Sequence, residues 1–181
     1  MLGRVSDTPS TPSGPFTSAG NAALRPIQMV AVAVGMGALM ISAVRIIVDP
    51  SAPLPSPWAV ALVLVVLVGS ATLIRYVGYA VPSLPHGLPP ENAESTSLRY
   101  FTSTTTLRTA LAEAPVLVAF ACSFAFTPHT WLPLLIALPG GLALFWVHGW
   151  PSPRTAAAVE AGLEADGAES YLSEALGFVS R

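Results

Sequence analysis

The chain has 181 residues, of which 52% are hydrophobic and only 10% are charged. A typical soluble domain carries about 25% charged residues, so this composition excludes an ordinary soluble enzyme domain and indicates a membrane protein. The net charge of −2 excludes a nucleic-acid-binding protein, which needs a basic surface to meet phosphates. The lipid bilayer is therefore the first expected partner.

Residues 1–26 are rich in Ser, Thr, Pro and Gly and contain no apolar run. A secretory signal peptide needs an apolar stretch of about 7–15 residues, which this segment lacks. The composition instead predicts a disordered N-terminal tail.

Residues 27–150 contain the apolar part of the chain and are expected to form a transmembrane domain. A helix needs roughly 20 mainly apolar residues to cross the hydrocarbon core. Four segments meet this demand, at about 27–48, 57–77, 107–126 and 131–148. The third is the least apolar, because Arg108 and Glu113 lie in it.

The connections between these segments differ in length. Residues 49–56 and 127–130 are short and contain prolines, whereas the connection over 82–106 is longer and polar. The spans therefore form two hairpins with short loops. Residues 151–181 are acidic, and Pro153 followed by an alanine-rich stretch predicts a helical tail. The expected fold is an all-α membrane protein with four transmembrane helices and a cytoplasmic C-terminal helix.

The arginines predict the orientation of the four spans. With four spans, both termini and the middle connection lie on one side of the membrane. Seven arginines belong to that side: Arg4, Arg25, Arg75, Arg99, Arg108, Arg154 and Arg181. Only Arg45 lies near the other side. Since cytoplasmic segments carry the excess of basic residues, both termini are expected in the cytoplasm.

Small residues recur along the first span at spacings of four, three and four: Ala31, Gly35, Ala38 and Ser42. This spacing places them on one face of a helix, where they would allow a neighbouring helix to approach closely. Arg45 continues the same face, and Asp49 is one turn further on, so this pair is interpreted as a structural anchor.

Glu113 is the acidic residue expected within the bilayer. An intramembrane carboxyl group is by default a functional hypothesis that requires a partner. Arg75, Arg108 and His148 are expected at the same depth, and Arg75 is the preferred partner. Two interpretations stay open: Glu113 accepts protons or binds a ligand, or it belongs to a structural pair between helices.

Catalytic and metal-binding patterns are missing from the sequence. The single cysteine, Cys122, lies in an apolar run, and the three histidines have no metal-ligand spacing. No catalytic residue, metal site or cofactor is therefore predicted, and the protein is expected not to be an enzyme.

The stretch LRTALAEAPVLVAF, followed by a fourth span that ends in aromatic residues and Pro-Ser-Pro-Arg, resembles small four-helix membrane proteins of high-GC Gram-positive bacteria. This resemblance implies a multi-pass protein of the bacterial cell (inner) membrane. The Ala-Leu-Ala-Glu run also looks like the carboxyl-bearing helix of rotary ATP synthase proteolipids. The proteolipid is a single hairpin with a cytoplasmic loop, whereas both hairpin loops here face outward, so its proton-carrying role is not transferred.

Two functional hypotheses follow. In the first, the protein is non-enzymatic and acts by assembly, either as a homo-oligomer or with a membrane-protein partner. In the second, it is a small transporter or proton-linked permease that uses Glu113. A second polar group facing Glu113 across a cavity would favour transport, and a Glu113 sealed against an arginine would favour assembly.

Overall fold

The computed structural model describes residues 16–178, which are helical apart from the connections. The helices are α1 (Phe16–Val48), α2 (Pro57–Tyr76), α3 (Pro90–Ala125), α4 (Leu134–Leu144), α5 (Pro153–Leu163) and α6 (Leu172–Ala175). A π-helical turn over Phe145–Gly149 continues α4. The described part of the chain contains no strand, as the all-α prediction requires.

Helix α1 begins at Phe16 rather than near residue 27. The predicted disordered tail therefore lies outside the described residues over 1–15 and is helical over 16–26. Leu24 is 8% exposed and belongs to an apolar cluster with residues from α3, α5 and α6. Packing of Leu24 in this cluster stabilises the helical form of a segment that was predicted to be disordered from its composition.

Helix α3 is also longer than expected, because the predicted polar connection over 82–106 is helical from Pro90 onward. Pro90 occupies the first turn of the helix, where its missing N–H costs no hydrogen bond. The N-terminal half of α3 buries Ala93, Ser97, Phe101 and Thr104 at spacings of four, four and three. The average composition of this segment is polar, although one face of the helix is buried against the rest of the protein. A hydropathy average over a window mixes the buried and exposed faces and therefore does not reveal this pattern.

Three helices are long and apolar enough to cross a membrane: Ala22–Val48, Pro57–Tyr76 and Pro90–Ala125. The fourth predicted span corresponds to Leu134–Gly149, a helix of about 24 Å at 1.5 Å per residue. It satisfies the same criterion only together with α5, from which it is separated by a bend of 57°. Proline at 151 and 153, next to Trp150, prevents a straight continuation.

The helices enclose two apolar clusters. The first lies among the apolar helices and is built mainly from small and medium side chains: Ala38, Val63, Val116, Ala119, Leu134 and Ala137. The second joins the start of α1, the connection after α2, the N-terminal half of α3, and helices α5 and α6: Leu24, Leu84, Ala93, Phe101, Ala156, Val159, Leu163, Leu172 and Leu176. The second cluster places both described ends and the middle connection at one end of the molecule.

The acidic tail is helical over α5, as predicted, and α5 and α6 pack on the protein's own α3. Ser152 caps α5, since its hydroxyl accepts a hydrogen bond from the Thr155 N–H at 3.3 Å. The Glu164 carboxylate accepts hydrogen bonds from the Ser170 amide at 2.9 Å and the Ser170 hydroxyl at 2.8 Å. These bonds fix the short turn that returns α6 onto α5. At the opposite end, the Trp131 indole donates to the Pro50 carbonyl at 3.4 Å and links the two short loops.

Candidate functional site

Glu113 lies on α3 and is half-buried. It lines a small cavity of about 20 Å³ between α1, α3 and α4, together with apolar atoms of Gly35, Ala38 and Phe145. The other polar side chain of this cavity is Thr109, which is 4% exposed. The cavity has room for about one water molecule, which needs roughly 10–15 Å³.

The expected ion pair between Glu113 and Arg75 is not formed. Over the described residues the structure has a single ion pair, and it joins Arg45 to Asp49. Arg75 is exposed in the last turn of α2, whereas Glu113 faces the cavity shared with α1 and α4. The prediction considered only depth in the membrane, and the two side chains differ in direction around the bundle.

Arg108, rather than Arg75, is the arginine buried between α2 and α3. Its side chain is 0% exposed. Its guanidinium donates to the Gly78 carbonyl at 3.3 Å and to the Thr105 hydroxyl at 2.9 Å, and it lies 4.3 Å from the centre of the Tyr79 ring. Its Nε has no hydrogen-bond partner. The charge is therefore balanced by a carbonyl dipole and an aromatic face, without a carboxylate.

His148 lies in the π-helical turn, close to the same group. Its Nδ1 is 2.9 Å from the Tyr79 hydroxyl, and the two rings pack edge to face at 5.9 Å. Arg154, Arg108 and Arg75 all lie within electrostatic range of the His148 ring. Of the four residues predicted to share a site, the structure therefore groups Arg75, Arg108 and His148 and leaves Glu113 elsewhere.

Arg45 ties α1 to α3 at the opposite end of the bundle. It is 2% exposed, and its guanidinium donates to the Ser123 hydroxyl at 2.9 Å and to the Ser123 carbonyl at 3.3 Å. Its ion pair with Asp49 spans 3.4 Å. The Ser51 hydroxyl and amide, followed by the Arg45 charge, hold the pKa of Asp49 below its usual range, so this pair stays ionised at neutral pH.

The four small residues of α1 lie on the side that packs into the bundle. Ala31, Ala38 and Ser42 are buried, and Gly35 faces Phe145, whose ring atoms lie 3.8 Å from the position of an added Cβ. The Ser42 hydroxyl bonds back to the Ala38 carbonyl at 2.8 Å. Close approach between α1 and the π-helical turn depends on this face.

Sequence reasoning missed a cleft lined by hydroxyl groups between α1 and α3. The cleft has a volume of about 200 Å³, and its polar lining comes from Thr102, Thr105, Thr106 and Thr109. Thr109 also lines the cavity of Glu113. The run TSTTT at 102–106 is the signal in the sequence, but it falls within the segment predicted to be a polar connection. Tyr79 was missed as well, because nothing in its sequence neighbourhood marks it as the partner of both Arg108 and His148.

Gly78 is the residue that allows Arg108 to enter the α2–α3 interface. A Cβ added at Gly78 would lie 2.7 Å from Arg108 Cγ and 2.6 Å from the Ile74 carbonyl oxygen. We expect Gly78→Ala to destabilise the fold by about 1–3 kcal/mol, because a buried arginine has little room to shift. Thermal unfolding in mild detergent measures the effect. Gly69→Ala is the matched control, since its added Cβ meets nothing within 4 Å, and equal unfolding midpoints for the two variants would contradict this account.

The arrangement as a whole offers interhelical anchors, one carboxyl group in a small cavity and a cationic group beside Tyr79. Among the described residues, no group of three or more His, Cys, Asp or Glu side chains is placed to hold a metal ion. Comparison of the chain with protein-family models, with curated proteins and with solved structures gives no match.

Proposed function

We propose that the protein is a multi-pass protein of the bacterial cell (inner) membrane that acts by assembly, without catalysis, and that its contact face is the outward side of α1. In this proposal the segment Leu134–Gly149 is the fourth span, and both termini are cytoplasmic. The three apolar helices support a membrane setting. The resemblance to four-helix proteins of high-GC Gram-positive bacteria supports the bacterial compartment.

The distribution of arginine supports the orientation. Arg25 follows Leu24 of the apolar cluster at one end of the molecule, and Arg99 and Arg154 lie two residues before the cluster residues Phe101 and Ala156. Arg75 lies at the end of α2 that leads into this cluster. At the opposite end, Arg45 is buried against Ser123. A cytoplasmic position for the arginine-rich end follows the positive-inside rule.

One observation carries the assembly proposal, namely the open space beside Gly37. A Cβ added at Gly37 meets no atom within 4 Å, and Ala33, one turn earlier, is exposed. Around them, α1 exposes Met36 to 52% and Met40 to 63%. Small residues spaced by four on an apolar face allow two transmembrane helices to pack closely. A second copy of α1 is the simplest partner for such a face.

The charged groups inside the bundle support a non-catalytic role. Arg45 and Arg108 are held by serine and threonine hydroxyls, backbone carbonyls and aromatic rings. Among the described residues, the cavity of Glu113 holds no second ionisable side chain, and its other polar group is the Thr109 hydroxyl. These contacts join helices and leave no reactive pair at a pocket.

A second candidate function, proton-linked transport, is favoured by the threonine-lined cleft. The cleft and the cavity of Glu113 share Thr109. Polar side chains can hold buried water, which proton transport to Glu113 through this cleft would require. Of the residues that the structure describes, none besides Glu113 brings an ionisable side chain to this cavity, which makes transport the weaker proposal.

The orientation predicts the result of reporter fusions. A reporter active only in the periplasm or outside the cell should be active when inserted at Ala52, in the first short loop, and inactive at Gly87, in the middle connection. Both residues are exposed, so insertion should spare the core. Activity at Gly87 alone would overturn the orientation.

The contact face predicts a cross-link between two copies. In a Cys122→Ala background, we expect Gly37→Cys to form a disulfide-linked dimer in oxidised membranes, because two helices packed there bring their Cα atoms within about 7 Å. Gly35→Cys is the matched control, since Gly35 faces Phe145 of the same chain. Equal dimer yields for the two variants, or a monomer for both, would refute self-assembly through this face.

The transport candidate predicts a separate outcome for Glu113→Gln. If Glu113 carries protons, this variant should lose a pH-driven signal in reconstituted vesicles while its unfolding midpoint stays unchanged. Glu94→Gln, an exposed acid on the same helix, should keep the signal. A wild-type protein that shows no pH-driven flux would eliminate this candidate without affecting the assembly proposal.

A further inference from the structure

An apolar groove runs along the surface between α2 and α4. Its volume is about 300 Å³, and its lining comes from Leu67, Val68, Ala71, Gly140, Ala143, Leu144, Val147 and His148. This volume is at the lower end of the roughly 300–1,000 Å³ typical of ligand sites. Val68 is 65% exposed and Val147 is 41% exposed, so the groove is open to the surroundings along its length.

The groove ends at a cationic group. Arg75 follows Val68 and Ala71 by seven and four residues, so it lies on the same face of α2. His148 closes the α4 side of the groove, and the Tyr79 hydroxyl holds its imidazole at 2.9 Å. Arg154 lies in the first turn of α5, which begins four residues after the π-helical turn that holds His148.

Within the part of the chain that the structure describes, these charges have no carboxylate counterion. Among the described residues, neither Arg75 nor Arg154 forms an ion pair within 4 Å, since the single such pair is Arg45–Asp49. Arg108 lies behind them, fully buried and without a carboxylate. An apolar groove that ends in unpaired basic residues complements a molecule with a long hydrocarbon chain and an anionic head.

We propose that this groove binds one anionic phospholipid, with an acyl chain along Val68 and Ala71 and the headgroup phosphate at Arg75, His148 and Arg154. Basic pockets between membrane helices on the cytoplasmic side are suited to such headgroups. The lipid would occupy the space between α2 and α4 and neutralise the charge there. This inference rests on the proposed membrane setting of α4 and does not depend on assembly through α1.

Quenching of tryptophan fluorescence by brominated lipids tests the site. In a Trp58→Phe, Trp131→Phe background, the remaining Trp146 and Trp150 stack at 5.7 Å beside the arginine-rich end. The full chain is reconstituted with brominated phosphatidylcholine or brominated phosphatidylglycerol, and the ratio of quenching gives the preference for the anionic lipid. We expect Arg75→Gln to lower this preference about fivefold, as loss of one interfacial arginine implies.

Two sets of control variants distinguish a specific lipid site from general electrostatic attraction between anionic lipids and the protein. Arg99→Gln removes an exposed arginine from α3 and should leave the preference unchanged. Ala143→Phe fills the groove without changing charge and should lower the preference, whereas Ala61→Phe, exposed on α2 outside the groove, should not. Equal effects of Arg75→Gln and Arg99→Gln would overturn the site.

The remaining outcomes distinguish the proposals from one another. Quenching by both lipids without an anionic preference would overturn the lipid site and leave the four-span setting intact. An absence of quenching by either lipid would overturn both. If inorganic phosphate abolished the preference at constant ionic strength, the basic group would be a site for free anions and the lipid proposal would fail.

Discussion

Helix α3 is the element on which the rest of the fold depends, because every other helix packs against it. It has 36 residues and is therefore about 54 Å long at 1.5 Å per residue, well beyond the roughly 30 Å of a bilayer core. One half packs among the apolar helices and the other half carries α5 and α6. Since the helix is continuous, the C-terminal segment has a fixed position relative to the apolar helices.

The two buried arginines of the bundle are stabilised in the same way. In a low-dielectric interior each needs a partner from the protein, because no bulk water is available. Arg45 and Arg108 are both fully or almost fully buried, and both combine a hydroxyl group, a backbone carbonyl and an aromatic ring. Apart from the bond between Arg108 and Thr105 on the same helix, these contacts join segments that are distant in sequence. The groups that stabilise the two charges therefore also fix the positions of the helices.

Hydrophobicity predicted some parts of this structure well and others poorly. It located α2 within one residue at its end, because that helix is apolar on every side. It did not predict the N-terminal half of α3 as helix, because the mean hydropathy of that segment is lowered by the polar residues on its exposed face. It placed a fourth span at about 131–148, whereas Leu134–Gly149 passes the test for a membrane-spanning helix only together with α5, across a bend of 57°.

The candidate site shows a similar limit. The sequence predicts depth along a helix, and on that basis Arg75, Arg108, His148 and Glu113 were expected at one level. The direction of a side chain around the bundle depends on how the helices pack, and this is why Glu113 has no arginine partner. Tyr79 and the threonines of α3 acquire their roles only through packing, so their chemistry could not be assigned beforehand.

The π-helical turn at Phe145–Gly149 fixes the direction in which His148 and the residues after it project from the helix. A π turn accommodates one more residue than an α turn, and one residue corresponds to about 100° of rotation around a helix axis. Loss of a single residue here would turn His148 away from Tyr79 and change the direction in which the chain leaves toward α5. Insertions and deletions should therefore be tolerated in the exposed connection around Gly87 and rejected in this apolar segment, although its composition looks far more permissive.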